Sequence, residues 1–191
     1  MIGEWSYFQN GFTPTECDKI LELGLKIPAK DAELGVAGNF SDNSTRRSKI
    51  RFIEKHLHPE FDFVFKQLWN LGLQANDDFF GFHISRLNYI QLAEYDSEYQ
   101  GEYKPHVDVF WMNNDPKYHR KMTCVIQLTD PAEYGGGDFE VYGTEQPLPK
   151  EPIKQRGAAI FIPSFVQHGA LPVTKGKRYS LAAWFDGPKW R

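Results

Sequence analysis

The spacing of apolar residues changes once along the chain, from a helical period in roughly the first 75 residues to alternation from Phe82 onward. Cys17, Ile20, Leu21 and Leu25 follow Thr13-Pro14-Thr15-Glu16, which supplies a hydroxyl N-cap, a proline at the first helical position and an acid three residues after the cap. Pro28 ends the run, so the pattern predicts an amphipathic covering helix over 13–27. Residues 31–45 are rich in Gly, Asn, Ser and Asp without periodicity and read as a mobile loop, as do residues 113–119. Over 46–52 the residues alternate, with Arg47, Lys49 and Arg51 on one face and Ser48, Ile50 and Phe52 on the other. That basic face reads as a solvated outer surface in preference to a rim for a polypeptide or nucleic acid. Residues 59–75 open at Pro59 and repeat Phe61, Val64, Phe65 and Leu68, a second helix that needs a sheet to pack against and that breaks at Ala75-Asn76-Asp77-Asp78.

From Phe82 the alternation places His83, Leu87, Tyr89, Gln91 and Tyr95 on one face and Ile84, Ile90 and Leu92 on the other. The apolar face is expected under the helices and the opposite face inside a barrel. Residues 122–129 split the same way, Met122, Cys124, Ile126 and Leu128 against Thr123, Val125 and Gln127, so Gln127 faces inward. Short strands are expected over 138–142, 158–162 and 178–185, the last entered through a Lys175-Gly176-Lys177 hairpin turn. No repeat or linker divides them. Early helices and later short strands with Gly/Pro turns point to an α+β class: a double-stranded β-helix, or jelly-roll, core over 81–191 with N-terminal helices packed on one side, helical and loop support over 1–80, and a single domain over 1–191.

Composition narrows the picture without changing it. A chain of 191 residues, 41% hydrophobic and 15% aromatic, is long enough to bury its own core. Its 22 basic and 25 acidic residues leave a net charge of -3, which gives general nucleic-acid binding no support. Cys17 and Cys124 lie far apart with neither metal nor disulfide spacing, Cys124 reading as a core residue. No run approaches the roughly 18 to 20 apolar residues of a membrane span, and the first residues lack signal-peptide character. The expectation is a cytoplasmic protein without a membrane partner.

The candidate chemistry centres on His106-Val107-Asp108. On a strand, residues i and i+2 share a face, so this imidazole and carboxylate converge on one point. A metal needs more than two protein ligands, and His168 is the candidate third. Two histidines and a carboxylate form the facial triad of non-haem Fe(II) oxygenases, with further positions open. Arg178 stands ten residues beyond His168, and a planar guanidinium suits a dicarboxylate. Ser180 shares its strand face and offers a hydroxyl. The bland readings are a surface His/Asp pair, a core histidine and a barrel ion pair.

The order His-x-Asp, about sixty residues, His, then a basic residue ten further on resembles the 2-oxoglutarate- and Fe(II)-dependent dioxygenases, in particular their prolyl 4-hydroxylase-like branch with its bacterial and phage-encoded members. Tyr95 and Tyr103 ahead of His106, the Tyr134-Gly135-Gly136-Gly137-Asp138-Phe139 turn and the ending Arg178-Tyr179-Ser180-Leu181-Ala182-Ala183-Trp184 add to the likeness, which is strong over 80–191 and weak before it. The resemblance implies Fe(II) held by His106, Asp108 and His168, 2-oxoglutarate gripped by Arg178, O2 as co-substrate and ascorbate as a candidate ligand. It implies hydroxylation of a prolyl residue in a protein or peptide, with 2-oxoglutarate decarboxylated to succinate and CO2. A phage-encoded member would act in the host cytoplasm. Tyr95 takes a co-substrate contact by the same likeness, and Trp111 and Trp184 are candidates for the substrate pocket. Some relatives carry a tyrosine near Gln127, a departure that leaves open how the far carboxylate is completed. The rival readings are oxidation of another residue, a free amino acid or a nucleobase, and a catalytically silent jelly-roll binding module; a nucleic-acid partner is the less favoured one.

Overall fold

The computed structural model describes residues 3–32, 45–109 and 117–190. Most of the expected loop over 31–45, half of that over 113–119, and Trp111 lie outside the described residues. In chain order the elements are β1 (Ser6–Phe8), α1 (Pro14–Gly24), β2 (Lys30–Asp31), β3 (Arg46–Arg47), β4 (Lys49–Glu54), α2 (Asp62–Ala75), β5 (Tyr89–Asp96), β6 (Glu102–His106), β7 (Tyr118–Gln127), β8 (Gly135–Gly136), β9 (Phe139–Tyr142), α3 (Lys150–Lys154), β10 (Ala159–Pro163), β11 (Gln167–Ala170), β12 (Val173–Lys175) and β13 (Lys177–Pro188).

The larger sheet runs β1-β10-β7-β13-β5-β4-β2 and the smaller β3-β6-β11-β9, with β12 and β8 as a short ribbon. All these pairings are antiparallel. This is the expected α+β double-stranded β-helix. Alternation along the central strands decides what each face meets. Ile90 and Leu92 of β5, Cys124 and Ile126 of β7, and Leu181, Ala183 and Phe185 of β13 pack with Cys17 and Ile20 of α1 and Val64, Phe65 and Leu68 of α2. Their opposite neighbours, Gln91, Tyr95, Thr123, Arg178, Ser180 and Trp184, turn into the space between the sheets. The helices therefore cover the outer face of the larger sheet, and these polar residues of its strands face the space between the sheets.

Local signals behave as their chemistry dictates. The Thr13/Glu16 capping box forms, Thr13 N donating to Glu16 Oε2 at 2.8 Å and Glu16 N to Thr13 Oγ1 at 3.2 Å, a motif worth about 1 kcal/mol. α1 ends earlier than expected, however: Gly24 packs against Leu92, where a Cβ would fall 2.6 Å from Leu92 Cδ2, and Leu25 is exposed. α2 runs into a single π turn (Asn76–Phe80), and Asn76 closes the turn by bonding both backbone polar groups of Phe82 at 2.8 and 2.9 Å. The strand expected from Phe82 begins only at Tyr89; before it, Arg86 makes one isolated bridge to Asp186.

Two expectations need correction. The basic run is not one strand with a solvated basic face, because the chain changes sheets at Ser48: β3 pairs with β6 and β4 with β5. Arg51 is buried, donating to Glu94 Oε2 and to Ile27 O, both at 3.1 Å; Arg47 pairs with Glu102 at 2.9 Å; and Arg46 turns inward. Nor is Lys175-Gly176-Lys177 a hairpin turn. β12 pairs with β8 while β13 pairs with β5 and β7, so the turn carries the chain from the ribbon into the larger sheet. Gly176, at φ +66°, passes so close to Glu133 O that no side chain fits there. Among the described residues no helix is long and apolar enough to cross a membrane.

Candidate metal and co-substrate site

β6 and β11 bring the two histidines together, His106 and His168 being directly opposed in the antiparallel register. β11 is a strand that apolar periodicity does not reveal, since Gln167-His168-Gly169-Ala170 holds no apolar run. Asp108 arrives differently from the expectation: β6 ends at His106, and Asp108 is held instead by its backbone N–H donating to Ser164 O at 2.8 Å, with Val109 N donating to the same carbonyl at 2.9 Å. The strand argument for His106 and Asp108 gives way to a fixed loop that reaches the same point.

The outcome is a convergent donor set, with one ligand atom from each of His106, Asp108 and His168 lying within 4.8 Å of the others. His106 Nε2 is 3.7 Å from Asp108 Oδ1 and His168 Nε2 is 3.4 Å from Asp108 Oδ2. Both rings are oriented from behind, Nδ1 donating to Lys104 O at 2.9 Å in His106 and to Val166 O at 3.0 Å in His168. That tautomer leaves both Nε2 lone pairs for a metal. Asp108 Oδ2 accepts from Thr123 Oγ1 and from Trp184 Nε1, each at 2.8 Å. Tyr103 stacks on His106 with ring centroids 3.5 Å apart.

The electrostatics describe three coupled groups. Burial opposes a charge on Asp108, but the pull of His168, the hydrogen bond from it, and Arg120 outweigh burial and hold the carboxyl well below its usual range. Burial likewise opposes a charged His168, and the Asp108 carboxylate overcomes it, raising His168 above 6.5. His106, buried and beside His168, is pushed down to about 4. Burial pushes the Tyr103 phenol up to about 12, so it is neutral. Two imidazoles with free Nε2 atoms and an ionised carboxylate fit Fe(II).

The donor set opens on a cavity of about 200 Å³ between the two sheets. Arg178 lines it from β13, only 1% exposed, with Tyr95 as its cross-strand partner. Its Nε and Nη2 both donate to Gln127 Oε1, at 3.1 and 2.9 Å, and its Cζ lies 5.3 Å from the Tyr95 ring centroid. Among the described residues no carboxylate pairs with it, so a buried cation faces the cavity without a counter-ion. Ser180 and Tyr95 line the same cavity. Gln127, expected to face inward, is not among the residues lining it and instead sits behind Arg178 and fixes it. Trp184 and Arg120 complete the wall, Arg120 Cζ lying 4.2 Å from the Trp184 ring centroid. Sequence reasoning missed Arg46 as a cavity residue, and Thr123 and Trp184 as donors to Asp108.

A family model described as the 2OG-Fe(II) oxygenase superfamily matches residues 90–186, just over half of the chain. The chain belongs to that superfamily, whose name carries both Fe(II) and 2-oxoglutarate. A PKHD-type hydroxylase of Aliarcobacter butzleri is 36% identical over 93 residues, covering 45% of this chain and 38% of that protein, so the match spans well under half of the relative's length. A PKHD-type hydroxylase of Synechococcus sp. is 26% identical over 175 residues, covering 89% of this chain and 72% of the relative. In fold, the chain is similar to a Trichoplax adhaerens prolyl hydroxylase solved in complex with a hypoxia inducible factor oxygen degradation domain peptide fragment, with a TM-score of 0.74 at 18% identity over 96% of this chain and 83% of that one.

Proposed function

We propose that this chain is an Fe(II)- and 2-oxoglutarate-dependent hydroxylase acting on a prolyl residue of a protein or peptide, with 2-oxoglutarate converted to succinate and CO2. The observation that carries the reading is the placing of the His106/Asp108/His168 donor set in one cavity with the guanidinium of Arg178, which no carboxylate among the described residues pairs. His106, Asp108 and His168 would hold the metal, and Arg178, assisted by Ser180 and Tyr95, would take the far carboxylate of 2-oxoglutarate. Bound Fe(II) supplies the activation of O2 that no side chain provides. The chain's own residues then fix geometry: Lys104 O and Val166 O set the imidazole tautomers, Thr123 and Trp184 aim the carboxylate, and Gln127 aims the guanidinium. In this reading residues 1–191 act as one domain, with α1 and α2 stiffening the sheet that carries Arg178. The prolyl substrate draws its support from the PKHD-type relatives and from fold likeness to a prolyl hydroxylase with bound peptide. Mass spectrometry of proline-containing peptides incubated with the chain, Fe(II) and 2-oxoglutarate tests it. One added oxygen on proline is expected; oxygen on another residue, or on a free amino acid only, would replace the prolyl assignment.

A further inference from the structure

Arg46 is a charged group in the cavity that the proposed reaction leaves without a task. It is 7% exposed, yet among the described residues no carboxylate lies within ion-pair distance of its guanidinium. Nε donates to Ser48 Oγ at 2.7 Å and Nη2 to Gln91 Oε1 at 2.8 Å, both neutral oxygens, and Cζ sits 4.4 Å from the Tyr103 ring centroid. These contacts fix the orientation of the fork and neutralise none of its charge. Leaving a desolvated cation unpaired is costly, so a guanidinium held rigid and buried but unpaired, on the wall of an open cavity, is built for an incoming anion.

The cavity's charge balance says which anion. Among the described residues its wall carries Arg46, Arg120 and Arg178 and one carboxylate, Asp108. Arg120 Nη1 lies 3.9 Å from Asp108 Oδ1. Fe(II) and the dianion of 2-oxoglutarate cancel each other, and Arg178 answers the far carboxylate of the latter. With both cofactors in place the charge of Arg46 is still met by no carboxylate among the described residues, which favours an anionic substrate. Arg46 is also close to the chemistry. It lies over Tyr103, and Tyr103 stacks at 3.5 Å on His106, so the cation is no further from the ligand ring than those two short spans laid end to end. An extended peptide advances about 3.3 to 3.6 Å per residue, so that span corresponds to roughly one or two residues.

We propose that the substrate presents a carboxylate one or two residues from its reacting residue and that Arg46 binds it, making an acidic peptide the preferred class. The inference rests on the hydroxylase reading for the position of the reacting residue. The carboxylate comes from an acidic side chain or from a chain terminus beside the proline, and the arms of the test separate the two.

The test is calorimetric, with the full chain loaded with Fe(II) and 2-oxoglutarate without oxygen. Three peptides with a fixed proline are compared: two of equal length, capped, with aspartate or asparagine beside the proline, and the asparagine peptide shortened to end at that residue with a free carboxylate. At least one carboxylate peptide is expected to bind tenfold or more tightly than the capped asparagine peptide, and which one does identifies the source. In Arg46→Met the preference should fall to within twofold, with Arg46→Lys recovering part of it. Equal affinities of all three peptides for the parent, including no binding by any, would overturn the proposal even if Arg46→Met did not fold. A folded Arg46→Met that keeps the preference, or that loses 2-oxoglutarate affinity as strongly as peptide affinity, would overturn it too. Failure of the hydroxylase reading is seen separately, as the absence of succinate and oxygenated product with every peptide.

Discussion

Gln127 Oε1 accepts hydrogen bonds from both Nε and Nη2 of Arg178, at 3.1 and 2.9 Å, holding one edge of a fully buried guanidinium so that the other is left for the cavity. Removing one partner of a buried charge pair typically costs about 2 to 5 kcal/mol, or roughly 30- to 5,000-fold in affinity. Arg178→Leu should therefore weaken 2-oxoglutarate by that order and leave metal binding in place. Gln127→Leu removes only the clamp, and hydrogen bonds to a charged group are worth about 1.5 to 3 kcal/mol, so the loss should be roughly 10- to 150-fold. Calorimetric titration of 2-oxoglutarate checks both; a folded Arg178→Leu with parental affinity would remove the co-substrate assignment.

Asp108 receives its two donors from neighbouring strands of the larger sheet, Thr123 on β7 and Trp184 on β13. Losing a group that orients a ligand typically costs about 10- to 100-fold in metal affinity. Thr123→Val and Trp184→Phe should each weaken Fe(II) binding by that order while the circular dichroism spectrum stays parental. Equilibrium dialysis against Fe(II) under anaerobic conditions reads the result, and unchanged affinity in both variants would show that the two donors do not serve the metal.

Protons and metal compete for the imidazoles, and the two histidines enter that competition at different pH. His106, held down to about 4, is already neutral over the useful range, whereas His168 is raised above 6.5 by Asp108. A raised pKa means His168 carries its proton up to higher pH, so metal affinity should fall as pH drops through that region and not first near pH 4. Metal content measured at limiting Fe(II) from about pH 8 to about pH 5 checks the sign. A flat profile across that span would contradict the ligand set.

Much of the site is legible in the sequence because it depends on spacing. Arg178, Ser180 and Trp184 share a face of β13, and Thr123 shares one with Gln127 on β7, as alternation requires. What alternation cannot register is a change of sheet. Arg46 and Ile50 look like members of one strand, yet the chain crosses from the smaller to the larger sheet between them, and Arg51, expected on a solvated face, is buried against Glu94. Asp108 shows the same limit, reaching the metal site through backbone bonds to Ser164 that no side-chain pattern encodes. β11 escapes notice because its strand is made by its partners β6 and β9, not by its own apolar residues.

Close packing between helix and sheet makes a stability prediction whose sign is set by magnitude. A Cβ at Gly72 of α2 would fall inside van der Waals contact of the fully buried Phe185 ring on β13. Alanine in a helix interior gains about 1 kcal/mol over glycine, but overpacking costs about 1 to 3 kcal/mol. Gly72→Ala should lose about 1 kcal/mol net and lower Tm by about 2–4 °C. A higher Tm in thermal denaturation would show that the helix backs away from the sheet more easily than this packing allows.

The most direct test of the account is succinate formation by the purified chain supplied with Fe(II), 2-oxoglutarate, O2 and proline-containing peptides. The account predicts succinate that requires Fe(II), rises with a hydroxylated peptide in equal amount, and disappears in Asp108→Ala, the variant that removes the anionic ligand from between His106 and His168. Succinate formed by Asp108→Ala at the parental rate, or none formed by a metal-loaded parent across the peptides, would contradict it.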